Sequence, residues 1–404
     1  MRRFLIAVLV SLLVSSPLLA ARRRAVGGAN TIVVGGLFSL TGDGETLGRA
    51  SQAALELAAR DLNAELGALG TGEQVRIVVA DTHLTPDGAV AGIQQLAAAG
   101  ATIVIGPQSS AEAGAIRQFA NEHGILLISQ ASTASSLAIP DDNLFRLAPN
   151  DKLEGAALAA LMRADGIDVV VPIWRDDAGN GGLKTSTTTL FAAAGGIAAT
   201  GVSYAPSTTD FTASVNALGN AVRAARSAHP SKKVAVFIAA FEEGEAILDR
   251  ARLDPDLTVN WYSGDGLTQS RALVDRSAIA TFAAATKFTA PAVALSEDTR
   301  NRWEPLSAEI KARVGFLPDA FSLAVYDAAM VAVLSSVEVD RRTEVLRAAF
   351  LKNVERYWGV TGPLSLDAAG DRRLADFDFW TVAETGTSID WKKTASYVSK
   401  RIVR

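Results

Sequence analysis

The sequence predicts an α/β protein of two lobes, each a doubly wound parallel sheet, and three observations carry that expectation. The chain has 404 residues, beyond the roughly 250 to 300 at which a single core stops growing. After residue 30, short β-rich runs alternate with alanine-rich segments whose apolar positions recur at helical spacing, which is the pattern of a parallel sheet covered on both faces. The alternation restarts after Pro149-Asn150, so a second unit of the same kind follows the first.

Taken in order, residues 1–20 follow the plan of a secretory signal peptide. Arg2 and Arg3 supply a basic start, residues 4–14 an apolar middle, and residues 17–20 a breaker ending in alanine. Cleavage is expected near Ala20 or Ala21, with an uncleaved membrane anchor as the alternative, because the apolar run is just long enough to span. Strands are expected over 31–38, 75–79, 102–105 and 126–129, with helices over 48–66, 86–99 and 110–123 between them. The second unit reads as helix 151–164, strand 168–174, helix 182–194, strand 196–204, helix 211–228, strand 234–239, helix 242–252 and strand 259–263. From about residue 283 come another strand, helices over 299–314, 319–337 and 341–353, and extended pieces over 364–366 and 377–382 around an Asp-Ala-Ala-Gly-Asp turn at 367–371.

Composition narrows the function. The chain is 49% hydrophobic and 20% charged, the balance of a globular protein. A formal net charge of -4 with interspersed signs provides no field to hold a nucleic-acid backbone, so nucleic acid is not an expected partner. Cysteine is absent, which excludes disulfides, thiolate metal sites, thiol nucleophiles and a lipidated cysteine. The three histidines, His83, His123 and His229, are scattered without metal-ligand spacing, and no Gly-x-Ser-x-Gly elbow, Walker loop or His-Glu-x-x-His helix occurs. Neither enzyme activity nor a cofactor is expected. The Glu242-Glu243 pair reads as solvated charge on a helix.

Several spaced motifs resemble one family. Leu40-Thr41-Gly42 with Gly48 resembles a turn opening a first helix, and Asp81, Pro86 and Ala89 a segment after a second strand. Residues 105–110, Ile-Gly-Pro-Gln-Ser-Ser, and 128–133, Ile-Ser-Gln-Ala-Ser-Thr, make the best match. Asp319-Ala320-Phe321 with Tyr326-Asp327-Ala328, and Gly362-Pro363-Leu364 with Asp367 and Gly370, complete it. In order and spacing the chain resembles the branched-chain amino acid binding proteins, the type I periplasmic binding proteins that feed ABC importers. The resemblance implies three crossovers forming a hinge, placed near Asn150, Thr286 and Gly370. Lobe 1 would then comprise residues 30–150 and 287–370, and lobe 2 residues 151–286 and 371–404. Closure of the lobes over a ligand would be read by a partner.

The pocket follows from chemistry and resemblance together. Ligands sit at the carboxyl ends of parallel strands, where helix N-termini direct free donors outward. Ser110 and Thr133 stand just past strand ends, so an α-carboxylate there would take their hydroxyls and the backbone donors of Ala131, Ser132 and Thr133; the alternative is that both residues merely cap helices. Asp265, in Ser-Gly-Asp-Gly, aligns with the family's acidic acceptor of a ligand ammonium, against the alternative of a turn aspartate. Leu47, Phe241 and Asn180 stand where the resemblance implies aromatic or tyrosine positions, and Phe321 keeps its aromatic ring. Arg175 beside Asp176 and Asp177 reads chiefly as a structural salt bridge. Leu84 and Ser109 occupy the positions of the family's disulfide cysteines. The expected function is an exported, periplasmic or extracellular, monomeric solute receptor that captures a small amino acid or analogue for an ABC permease; the alternative is a tethered receptor whose closure is read by a signalling protein.

Overall fold

The computed structural model describes residues 30–339, 343–386 and 388–404. The signal segment 1–20 and the expected helix start at Arg341 lie outside the described residues. Along the chain, β1 (Asn30–Phe38), α1 (Glu45–Ala68), β2 (Glu73–Asp81), α2 (Pro86–Ala98), β3 (Ile103–Ile105), α3 (Ser110–His123), β4 (Leu126–Ser129) and β5 (Leu144–Pro149) alternate as the sequence pattern requires. There follow α4 (Asp151–Ala164), β6 (Val169–Arg175), α5 (Ala178–Ala193), β7 (Ile197–Ala198), β8 (Val202–Tyr204), α6 (Thr212–Ala228), β9 (Val234–Ala239), α7 (Gly244–Ala251) and β10 (Asn260–Ser263). Next come α8 (Ala272–Asp275), α9 (Ser277–Ala285), β11 (Thr289–Val293), α10 (Arg300–Val314), α11 (Ala320–Glu338) and α12 (Thr343–Val354). The chain ends with the short pair β12 (Trp358–Gly359) and β13 (Gly362–Pro363), then β14 (Asp371–Arg372), β15 (Phe377–Thr385), β16 (Ser388–Val398) and β17 (Arg401–Val403).

Two main sheets result. The first runs β14-β5-β4-β3-β1-β2 and is parallel throughout. Its strands alternate between two cores: Ile103, Ile105, Leu126 and Ile128 face α1 and α11, while Val104 and Leu127 face α2 and α3. That two-residue period buries both faces. Helix α11 is apolar and long enough to cross a membrane, yet much of it is buried in the first of these cores.

The second sheet runs β17-β16-β15-β11-β10-β9-β6-β7, with β8 also paired to β6. The expected single strand over 196–204 is split into β7 and β8, which pair with β6 one residue out of register with each other: Val170 lies opposite Ala198, but Ile173 lies opposite Val202. This sheet is also not wholly parallel. From β11 outward the pairings are antiparallel, because β15–β17 form a tight meander that the sequence reading saw only as extended pieces.

The chain leaves the first sheet after β5 and enters α4 at Asn150. The other two crossovers are displaced from the expected positions. Strand β11 pairs with β10 in the second sheet, so the chain leaves that sheet only after Val293, beyond Thr286. Strand β14 pairs with β5 in the first sheet, so the last crossing lies after Arg372, beyond Gly370. Arg146 of β5 anchors that late strand: its Nε and Nη2 donate to Asp371 at 2.6 and 2.5 Å, and its Nη1 donates to the Ala134 carbonyl at 2.6 Å. Both partners of this bidentate pair are buried, so removing one would strand the other charge.

Candidate functional site

The two sheets direct the carboxyl ends of their parallel strands at one another across a cleft. In the first lobe the loops after β1, β3 and β4 reach it; in the second, those after β6, β9 and β10 do. This is where open parallel sheets bind ligands. A cavity of about 490 Å³ occupies the cleft, and Leu47, Ser110, Ala131, Thr133, Asn180, Phe241, Asp265 and Phe321 line it. Of the residues singled out from the sequence, Ser132 is not in the lining. It is fully buried, with its amide on Ser129 Oγ at 2.9 Å and its hydroxyl on Ser110 Oγ at 3.1 Å.

Local sequence fixes each wall. Gly106 adopts φ 111°, and a side chain there would stand 2.0 Å from the Leu37 carbonyl, so only glycine lets the β3 loop pass so close to β1. That loop delivers Ser109, whose hydroxyl accepts from the Glu112 amide at 3.3 Å while Glu112 Oε2 accepts from the Ser109 amide at 2.8 Å. Ser109 is therefore the N-cap of α3, in a capping box, and Ser110 is free of that duty. Ser110 Oγ instead receives the Ser132 hydroxyl at 3.1 Å and the amides of Thr133 and Ala134 at 3.2 and 3.0 Å. Three donors saturate an oxygen with two lone pairs, which leaves its own O–H as a donor. The expected free backbone donors are thus already engaged: those of Ala131 and Ser132 by Ser129 Oγ, at 3.4 and 2.9 Å, and that of Thr133 by Ser110. The donor surface of this wall consists of hydroxyls polarised by those amides.

The second-lobe wall is acidic. Asp265 follows β10, between Gly264 and Gly266; a side chain at Gly266 would meet the Ala240 carbonyl at 2.4 Å, so glycine allows this loop to fold flat against the β9 loop. The Asp265 amide donates to Glu154 Oε1 at 3.0 Å. Helix α4, capped by Asn150 through the amides of Lys152 and Leu153, carries Asp151 and Glu154 in its first turn. Glu154 is 1% exposed and Asp151 is fully buried. The nearest polar neighbours of the Asp151 carboxylate are the Thr133 hydroxyl and the Ser135 amide, and neither meets it in ordinary hydrogen-bond geometry. Asp319 caps α11 through the Ser322 amide at 2.8 Å.

Burial raises all four carboxyls, and repulsion from the other acids adds to it at Glu154 and Asp265. Burial pushes Asp151 up to about 6, and burial together with the charge of Asp151 pushes Asp265 up to about 7. Burial, then the charges of Asp265 and Asp151, lift Glu154 well above the usual range, and burial raises Asp319. Of these four carboxyls the sequence pointed to Asp265 as a ligand contact and not to Asp151, Glu154 or Asp319. The three-residue spacing of Asp151 and Glu154 at a helix start was visible, but acids there are ordinary complements to the helix dipole.

The remaining side chains hold the walls together. Arg175 forms ion pairs with Asp177 at 3.0 Å, Glu243 at 3.4 Å and, across the cleft, Asp43 at 3.5 Å, and its guanidinium lies 5.5 Å from the centre of the Phe241 ring. Asn180 is buried, and its Nδ2 donates to both oxygens of Asp177, at 3.2 and 3.1 Å. Glu242 and Glu243 are half-buried at the cleft rather than set on an open helix face. Glu243 accepts from the Tyr204 hydroxyl at 2.9 Å, and Glu242 meets Thr46 of the opposite lobe. The β9 loop carries them into the cleft before α7 begins at Gly244.

Comparison with known proteins identifies the fold and the family. The chain is 26% identical over 383 residues, 90% of its length and 88% of the relative's, to "Uncharacterized protein MJ1266" of Methanocaldococcus jannaschii. Its fold is similar to the branched-chain amino acid transporter substrate binding protein LivJ from Streptococcus pneumoniae in complex with isoleucine, with TM-score 0.70 and 20% identity, covering 90% of this chain and 100% of that one. It is also similar to a solute binding protein of an ABC transporter from R. palustris in complex with benzoate, with TM-score 0.70 and 18% identity, covering 91% and 96%. Residues 31–387 match the family described as "Periplasmic binding protein", and the chain belongs to that family.

Proposed function

We propose that this chain is the extracytoplasmic solute receptor of an ABC importer and that it captures a small amino acid or a close analogue between its lobes. One observation carries the reading: hydroxyl donors on one wall face an acidic group on the other in a single cavity. Its volume of about 490 Å³ falls in the range of small-molecule sites. An α-carboxylate would sit against the Ser110 and Thr133 hydroxyls, and an ammonium against Asp265. Leu47, Phe241 and Phe321 would enclose the side chain.

The acidic wall also supports a choice between ligand classes. A plain carboxylate would bring negative charge toward Asp265 and its acidic neighbours, whereas an amine compensates their desolvation. The test is a thermal-shift screen of the protein against amino acids, their amides and aromatic acids, because a ligand that binds only the folded state raises Tm. The expected result is a rise with one or more amino acids and none with benzoate. A rise with plain acids alone would overturn the reading.

A further inference from the structure

Asp265 does not stand alone. Its amide rests on Glu154 Oε1 at 3.0 Å, and the two side chains are themselves in hydrogen-bond contact. Glu154 is 1% exposed, lying under the 263–265 loop where a side chain at Gly264 would come within 3.6 Å of Oε1. Two carboxylates cannot both stay ionised in such contact. The surroundings offer little relief. The charged groups acting most strongly on the pair are acidic: Asp151 one turn earlier on α4, and Asp319 at the start of α11. Asp151 in turn faces Asp177 and Arg146, and Arg146 is engaged with Asp371. Arg271 and Lys311 lie in the cavity lining, and Arg271 pairs with Asp275 and Asp390.

We infer that Glu154 is a positioning residue that shares one proton with Asp265, so that the acidic wall takes up the cationic end of a ligand in exchange for that proton. The inference rests on the amino-acid reading above and adds to it a residue and a proton. Between its two titration steps and with no cation present, the pair holds one proton and one negative charge over two carboxyls. An arriving ammonium, with its own N–H donors, replaces the proton, and the proton leaves to solvent. Binding therefore strengthens as pH rises through the range in which the pair titrates, and a proton appears for each cation bound.

The experiment uses the ligand-free full chain, followed by infrared difference spectroscopy as pH is raised. The observable is the C=O stretch of a protonated carboxyl. In the unaltered protein this band is expected to persist to pH 7, because burial raises both carboxyls. In Glu154→Gln, which keeps the acceptor for the Asp265 amide and cannot ionise, the two-step profile of the pair collapses to the single titration of Asp265. In Asp265→Asn, the same proton is read from the other side: Glu154 then titrates as a single group, and the two-step profile of the pair is lost. Loss of the band below pH 5 in the unaltered protein, or profiles unchanged in both variants, would overturn the inference. No amino acid is present, so a failed thermal-shift screen leaves this result independent of the functional reading.

Discussion

The two walls of the cleft solve opposite problems. On the first-lobe wall polar groups satisfy one another: Ser129 and Ser110 collect the amides of the 131–134 loop, and the outward groups are hydroxyls. On the second-lobe wall polar groups frustrate one another: Asp151, Glu154 and Asp265 crowd together with raised pKa values, and Asp151 lacks a hydrogen bond of ordinary geometry. A self-satisfied wall is pre-organised and keeps its shape without a ligand, whereas a frustrated one stores a demand for positive charge that a ligand meets. The orientation proposed for an amino acid in the cleft rests on that contrast.

The contrast breaks most visibly at Asp265. Asp265→Ala is expected to weaken amino-acid binding by about 30-fold or more, the scale for truncating one partner of a buried charge pair. Binding of the matching carboxylic acid without the amine should change little. Calorimetric titration of both compounds measures the difference, and equal losses would remove the ammonium role from this wall. Ser110→Ala attacks the other wall by leaving the Thr133 and Ala134 amides unpaired, at about 1–3 kcal/mol of folding stability for an unsatisfied buried group. Urea unfolding should show it as a lower midpoint at unchanged slope.

A pH series sharpens the comparison further. The folded values of Asp265 and Asp151, about 7 and about 6, lie above the ordinary aspartate value of 3.8. Folding therefore holds protons on these groups that the unfolded chain releases. Their contribution to stability is fully present below pH 4 and is lost as pH rises through 6 and 7. The ligand-free protein should thus lose roughly 1 kcal/mol or more from this source between pH 5 and 8, and Asp151→Asn should flatten the profile in denaturant titrations. The smallest effect is expected at the rim. Asp43 is about half exposed where it meets Arg175, so Asp43→Asn should change amino-acid affinity by less than about fivefold, as exposed ion pairs contribute 0–1 kcal/mol. A larger loss would place part of the closing energy in that bridge.

Much of the fold was legible in the chain, because buried parallel strands and their covering helices each carry a local period. The C-terminal meander was less so. Strands β15–β17 mix Thr, Lys, Asp and Trp on a half-exposed sheet edge, where burial no longer imposes a clean pattern. The crossings after β11 and β14 were misplaced for a related reason: a strand of two residues such as Asp371–Arg372 has no period at all, and its place is fixed by the distant Arg146. Ser110, Thr133 and Asp265, which line one cavity, were named because the family resemblance and their places just past strand ends marked them. Glu154 looked like any acid in a first helical turn, and Glu242-Glu243 like any solvated pair.

The sequence by itself determined the alternation of strands and helices, the two units, the absence of thiol chemistry and the positions of the loops that end at the cleft. These are properties of neighbours in the chain. The tertiary structure alone decided that Ser109 rather than Ser110 caps its helix, that Ser132 is buried away from the cavity, and that Glu154 lies against Asp265 from 111 positions away. Electrostatic coupling depends on distance through space and on the removal of water, and a linear order of residues encodes neither until the lobes have packed.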